Sequence, residues 1–304
     1  MQGPAPPPHM SFPSTLAFSL TGHEGPVLNV RFNPKGTYCI SCGKDRTLRL
    51  WNPHKGFDIK VYKGHGYEVR DVSISANNSQ MASAGGDRQL FLWDVASGNV
   101  IRKFRGHDAR INTVVHGASD EVLVSGGHDQ CIKVWDCRSR SIDPIQTMRH
   151  FKDDVTSVLS VGPAILAGSV DGTLRRFDVR MGRIYTDELH HPVSELALTR
   201  DGLCVLAACL DSCLRLLDVE AGELLASYRG HTHSNVRMGC ALLADDQHVV
   251  GCSEDGRVCY WELVDAQLVH SFQAHDSVVC GVAAHPSESC LLTCSVDGTV
   301  KVWR

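Results

Sequence analysis

Residues 295–304 read SVDGTVKVWR, and similar phrases recur along the chain. Each of the five tryptophans ends one: TLRLWN at Trp51, QLFLWD at Trp93, CIKVWD at Trp135, RVCYWE at Trp261 and TVKVWR at Trp303. Two weaker copies fill the gap, TLRRFD at Phe177 and CLRLLD at Leu217. Successive end points lie 42, 42, 42, 40, 44 and 42 residues apart. An Asp stands six residues before every one: Asp45, Asp87, Asp129, Asp171, Asp211, Asp255 and Asp297. A His stands 26 to 30 residues before each, after Gly in His23, His65, His107 and His231 and after Ala in His275. Self-similarity at a fixed period of this length marks a repeat architecture.

One unit can be read in detail. VLNVRFNP alternates apolar and polar residues and turns at Asn-Pro. YCISCG is a second strand and KDR a tight turn; TLRLW and IKVYKGH are a third and a fourth strand. Four short strands per unit make the blade of a β-propeller, and seven units predict seven blades in an all-β chain. The last unit has three strands after its His. Residues 14–20, ahead of Gly22-His23, match the fourth strand NVIRKFRGH and have no blade of their own. Strand 14–20 is therefore expected to complete the last blade, so that 14–304 form a single propeller with no open inner edge. Residues 1–13 hold five of the twelve prolines and are expected to be a disordered tail, its PAPPP having the composition of a polyproline II segment.

Bulk properties narrow the function. The net charge is −4 and the pI about 6.4, which does not suit the clustered basic face that nucleic acid requires, so no direct nucleic-acid partner is expected. No apolar run approaches the roughly 18 residues of a membrane span, and no membrane partner is expected. Thirteen dispersed cysteines, without a leading apolar signal, predict reduced thiols in cytoplasm and nucleus. Cys39 and Cys42, in CISC, have the spacing of a metal or redox pair. On a strand, however, residues three apart face opposite sides, so two small strand residues are expected instead.

These phrases resemble the WD-repeat family over about 14–304. The resemblance implies that the turn Asp, the His, a hydroxyl four residues before the Asp, and the Trp form a buried hydrogen-bonded chain. Four sets are complete: His23, Ser41, Asp45 and Trp51; His65, Ser83, Asp87 and Trp93; His107, Ser125, Asp129 and Trp135; His275, Thr293, Asp297 and Trp303. Repeat six has Gly251 at the hydroxyl position, and repeats four and five have Ala167 and Ala207. A Ser-His-Asp set elsewhere would suggest a hydrolase; in register with a scaffold period it is structural. No dinucleotide loop, P-loop, zincin motif or nucleophile elbow appears, so neither enzyme activity nor a cofactor is expected. His231 and His233, in HTH, lack the Cys or Asp support of a metal site.

The family also implies a docking face around the Gly-His loops and the turn Asp. Its polar sector would comprise Tyr67, Glu68, Arg70, Arg110, Asn112, His128, Asp154, Thr156, Arg237 and Glu254. An apolar sector would comprise Leu28, Val170, Leu210, Val278, Cys280 and Val296. More specific phrases are GHGYEVRDV, WDVASGNVIRKFRGH, VWDCRSR, LAGSVDGTLRRFDVRMGRIYTD, LDSCLRLLD and CSEDGRVCYWELV. They resemble the mitogen-activated protein kinase organizers, and the match runs through the degenerate repeats four and five. That resemblance implies a scaffold, monomeric within larger complexes, for components of the extracellular-signal-regulated kinase cascade, associated also with splicing factors. A competing expectation comes from two Asp-x-Arg endings, at Arg138 and Arg180. They resemble the box by which WD-repeat substrate receptors dock the adaptor of a cullin ubiquitin ligase.

Overall fold

The computed structural model describes residues 12–304, and among them every helix or strand element is a β-strand. The strands form seven four-stranded antiparallel sheets, six of them paired in chain order. Blade one comprises Val27–Phe32, Cys39–Gly43, Thr47–Asn52 and Phe57–Lys63. Blades two to six span 69–105, 111–148, 155–188, 193–229 and 240–273. Blade seven takes Val279–Ala284, Leu291–Ser295 and Thr299–Trp303 from one end of the chain and Leu16–Thr21 from the other. The closing register runs from Leu16 opposite Trp303 to Thr21 opposite Thr299. Thr15 and Arg304 extend it by exchanging backbone hydrogen bonds of 3.0 and 2.9 Å. The strand lies one to two residues later than 14–20.

Seven apolar clusters hold the ring, one in each seam between neighbouring blades. The residue that ends each repeat phrase fills the seam with the preceding blade. Trp93 packs with Leu48 and Tyr62 of blade one, and Trp51 with Leu292 and Val302 of blade seven. Phe177 and Leu217 take the same place in the degenerate blades. The CISC thiols divide between two seams, Cys39 facing blade seven and Cys42 facing blade two, and burial raises both thiol pKa values. They share no ligand.

Two local features aim side chains at one face. The residue after every turn Asp has a positive φ, from 58° at Ser212 to 86° at Gly256, which tightens the hairpin there. In six of the seven inner strands the register slips by one residue: at Leu28, Arg70, Asn112, Thr156, Ser194 and Cys280. Such a bulge re-aims its side chain. In blades seven, one and two it points toward a cavity at the mouth of the central channel.

The tail expectation needs one correction. Phe12 and Pro13 belong to the folded body: the Phe12 ring stacks on His270 at 5.6 Å and meets His248 and Tyr260 edgewise or tilted, and the Tyr260 hydroxyl donates to the Pro13 carbonyl at 2.7 Å. An aromatic side chain has a greasy niche to fill here, which a composition count does not reveal. The remainder of the expected tail, residues 1–11, lies outside the described residues.

Closure by the first strand predicts an asymmetry along it. Leu20 is 2 % exposed in the seam with blade one, whereas Leu16 is 47 % exposed. Leu20→Ala should destabilise by about 2–5 kcal/mol and Leu16→Ala by less than about 0.5 kcal/mol, measured by urea unfolding followed by tryptophan fluorescence.

Candidate protein-interaction face

Four His–Asp–hydroxyl–Trp sets are joined end to end. In blade two, His65 Nδ1 lies 2.7 Å from Asp87, His65 Nε2 lies 2.7 Å from Ser83 Oγ, and Trp93 Nε1 donates to the same Oγ at 2.8 Å. Blades one, three and seven repeat this within 2.7–2.9 Å. One polarity satisfies every member. Indole only donates, so the hydroxyl accepts from Trp and passes its own hydrogen to Nε2; Nδ1–H then donates to the carboxylate. The hydroxyls of Ser41, Ser83, Ser125 and Thr293 are fully buried, so no substrate carbonyl reaches them. Burial pushes the Asp45, Asp87, Asp129 and Asp297 carboxyls up. Hydrogen bonds from the paired His and from nearby backbone N–H groups outweigh that and hold all four below the usual carboxylate range.

The blades without these sets use substitutes. Arg215 forms a double hydrogen bond to Asp211 at 2.9 and 2.6 Å, and Arg175 pairs with Asp171 at 3.6 Å while its guanidinium lies 4.7 Å from the Phe151 ring centre. In blade six, Trp261 donates to the Arg229 carbonyl instead, and both ring nitrogens of buried His231 lack partners. The Glu254 carboxylate binds three successive backbone N–H groups, of Ser234, Asn235 and Val236. Burial opposes ionisation there, but those donors prevail and bring its pKa to about 2. Glu254 therefore shapes its own loop.

A belt of polar side chains lines the channel one residue beyond the bulges. Asp71, fully buried, accepts from Asn29 Nδ2 at 2.7 Å, Thr113 Oγ1 at 2.9 Å and Val114 N–H at 3.0 Å, tying blades one, two and three together. Arg31 reaches Asp71 at 3.4 Å and Glu195 at 3.2 Å across the channel. Arg237 donates to Glu195 at 2.7 Å and to the Asn112 carbonyl at 2.6 Å. Enclosure pulls the Arg31 pKa down, and the Asp71 and Glu195 carboxylates more than reverse it. Arg31, Asp71 and Glu195 were not among the residues singled out from the sequence. A signal for them existed: the second residue after the first apolar position of the inner strand is Asn, Asp, Thr, Ser or Glu in repeats one to five, where an apolar residue would otherwise be expected.

The bulge position itself sorts the face. In blades three, four and five it stitches the ring: Asn112 donates to the Val155 carbonyl at 3.0 Å, Thr156 to that of Val193 at 2.7 Å and Ser194 to that of Met238 at 3.1 Å. These are buried bonds to the next blade, so Asn112 and Thr156 have a structural role. Asp154 is buried between Arg110, 3.3 Å away, and His128, with which it shares a hydrogen bond. Arg110, His128 and Tyr67 are exposed, Tyr67 at 62 %, with Glu68 and Arg70 half-buried beside them. In blades seven, one and two the bulge residues are Cys280, Leu28 and Arg70. They line one cavity of about 400 Å³ with Pro26, Val236 and Val296, so the apolar and basic sectors meet at the channel mouth.

Two clusters bear on metal binding. His54, His285 and Glu288 bring ligand atoms within 4.8 Å of one another. Yet His285 Nδ1 accepts from the Glu288 N–H at 2.9 Å, which leaves the ring proton on Nε2, donating to the Gly36 carbonyl at 3.1 Å. His54 Nδ1 faces the Arg304 guanidinium at 3.0 Å. Neither ring presents a free lone pair, so the set is a seam latch between blades one and seven. The rings of His231 and His233 lie 6.1 Å apart and belong to no three-ligand group among the described residues. The Asp-x-Arg endings are turns: Asp136 accepts the Arg138 N–H at 2.8 Å and Asp178 that of Arg180 at 2.9 Å. Both Arg side chains remain outside, that of Arg138 66 % exposed beside Glu121.

Comparison with known proteins matches the WD domain, G-beta repeat, at residues 14–52, 56–94, 98–136, 222–262 and 266–304. The unmatched span, 137–221, covers degenerate blades four and five. The chain is 53 % identical to WD repeat domain-containing protein 83 of Xenopus tropicalis, over all of this chain and 97 % of that protein. It is 52 % identical to the Rattus norvegicus protein of the same name over 92 % of this chain and 89 % of that one. A Dictyostelium discoideum homolog is 31 % identical over 93 % of this chain and 96 % of its own length.

The joined sets predict two outcomes. Asp87→Ala should cost roughly 1–3 kcal/mol of stability, seen as a lower melting temperature; a native-like melt would show that His65 needs no acceptor. The four turn carboxylates are depressed in the folded state, so their contribution is fully present above the unfolded pKa near 4. It is lost as pH falls below that value and through the folded pKa values. Melting temperature should therefore drop steeply below about pH 4, and less steeply in Asp87→Asn.

Proposed function

The chain belongs to the WD-repeat family, and from that premise we propose a non-enzymatic protein-interaction scaffold. It gathers components of the extracellular-signal-regulated kinase cascade and associates with the pre-mRNA splicing machinery, in cytoplasm and nucleus. One observation carries the scaffold reading: the His, Ser, Asp and Trp side chains that could do chemistry are buried in blade networks, while one face offers an exposed Tyr, Arg and apolar sector. Aromatic and Arg side chains are typical anchors of protein interfaces. The kinase and splicing assignment rests on the specific phrases in blades two to six, because the degenerate blades are least constrained by the repeat itself.

A second reading keeps its own support. Arg138 and Arg180 are exposed at equivalent turns of adjacent blades, a spacing suited to docking one ligase adaptor. The two readings use different surfaces and are separable.

Affinity capture from cell extract with quantitative mass spectrometry should recover kinase-cascade components and splicing factors. Tyr67→Ala should reduce that recovery at an unchanged melting temperature. Recovery of neither class would refute the assignment. Adaptor binding that survives Arg138→Ala with Arg180→Ala would dismiss the ligase reading.

A further inference from the structure

The groove at the channel mouth spans blades six, seven, one and two. Its floor is Pro26, Leu28, Val236, Cys280 and Val296, with Val296 38 % exposed. Its cations are Arg237 at the blade six end, Lys44 on blade one and Arg70 on blade two; no Asp or Glu lines it. The three are not equivalent. Arg237 is held by Glu195 and acts as a fixed wall. Lys44 is exposed and has no ion pair among the described residues. Arg70 has only a loose contact with Glu68 at 3.7 Å, and its buried Nε has no partner. Burial, then Arg237 and Arg110, push the Arg70 pKa down to about 10, the sign of a cation short of counter-charge.

The groove also lies where the ring gives up its stitching. Asn112, Thr156 and Ser194 spend the bulge position on bonds to the next blade; Cys280, Leu28 and Arg70 spend it on the groove wall. Forgoing those bonds leaves a surface that nothing in the fold uses.

We propose that this groove receives an extended protein segment in which an apolar side chain is flanked by carboxylate on the Arg70–Lys44 side. The proposal rests on the scaffold reading and specifies the chemistry of its ligand. The apolar side chain fills the floor of blades seven and one. A flanking carboxylate reaches Arg70 and Lys44, the two cations without a committed counter-charge, while Arg237, held by Glu195, closes the other end. A protein segment suits the site better than nucleic acid because Glu68 and Asp154 stand close to Arg70 on the same face, where a continuous phosphate backbone would meet them. Apolar burial supplies affinity, and charge supplies selectivity and speed of encounter.

The full chain should be tested against oriented libraries of short peptides with a fixed central Leu and Glu, Lys or Ser flanks, alongside a Ser-centred, Glu-flanked pool. The Leu-centred, Glu-flanked pool should be retained over the other three, and retention should weaken with added salt. Arg70→Glu and Val296→Asp should each weaken binding of a selected peptide by about tenfold or more at unchanged melting temperature. Lys103→Glu, on the outer strand of blade two, should leave it unchanged. No preference for Glu flanks, selection unaffected by Arg70→Glu and Val296→Asp, or displacement of the peptide by single-stranded RNA overturns the proposal. Failure here is distinct from failure of the scaffold reading. If Val296→Asp abolishes partner capture while Lys-flanked peptides are selected, the scaffold stands and the acidic ligand falls. If capture survives both groove substitutions, the groove falls and the partners use another sector.

Discussion

The structure depends on one pairing between distant parts of the chain: Leu16–Thr21 against Thr299–Trp303. A ring of sheets is stable only when every seam is filled on both sides. Leu20 packs in the seam of blades seven and one, and Trp303 in the seam of blades six and seven. Without the outer strand, Thr299–Trp303 would become an unpaired edge, and such edges invite aggregation. Phe12 and Pro13 continue the clamp past the strand, onto Tyr260 of blade six. The pairing therefore braces two seams rather than one blade.

Within that ring the polar groups do structural jobs that resemble chemistry. The Ser–His–Asp order of a hydrolase is present four times, yet each hydroxyl is fully buried and receives an indole N–H. A nucleophile must be reached, and these cannot be. In five blades the turn Asp also organises its hairpin, accepting the N–H two residues on, at Thr47, Gln89, Thr173, Arg257 and Thr299. That second duty explains why Asp171 persists where the Trp and the hydroxyl are gone. A carboxylate left there without its imidazole needs a cation, and Arg175 and Arg215 supply it.

Most of the fold was legible because it is written in a period. The blade number and the closing strand follow from residues that recur at a fixed spacing, with strand ends displaced by a residue or two, and the four hydrogen-bonded sets from the family resemblance those residues carry. What was not legible depends on contacts across the ring. Arg31 and Glu195 meet at 3.2 Å although 164 residues separate them, and no local pattern marks that partnership. Asn112 and Glu254 look like surface polar residues in the sequence; the bulge turns one toward the next blade, and a loop of three N–H groups captures the other. Phe12 sits among prolines, where composition outvotes a single aromatic ring.

The bulge explains how one fold carries a specific surface. Because the register slips at a single residue, adjacent side chains of the same strand serve separate ends. One points to the mouth, and its successor joins the polar belt that ties the blades. In blade two these are Arg70 and Asp71: Asp71 accepts bonds from blades one and three, while Arg70 is left with an unpartnered Nε. A change at Arg70 alters the face and leaves the belt intact. A change at Asp71 removes the acceptor shared by Asn29, Arg31, Val72, Thr113 and Val114 and reaches stability first. The surface of this propeller is thus free to vary at the bulge positions of blades seven, one and two, and constrained at those of blades three, four and five, where the same residue also closes the ring.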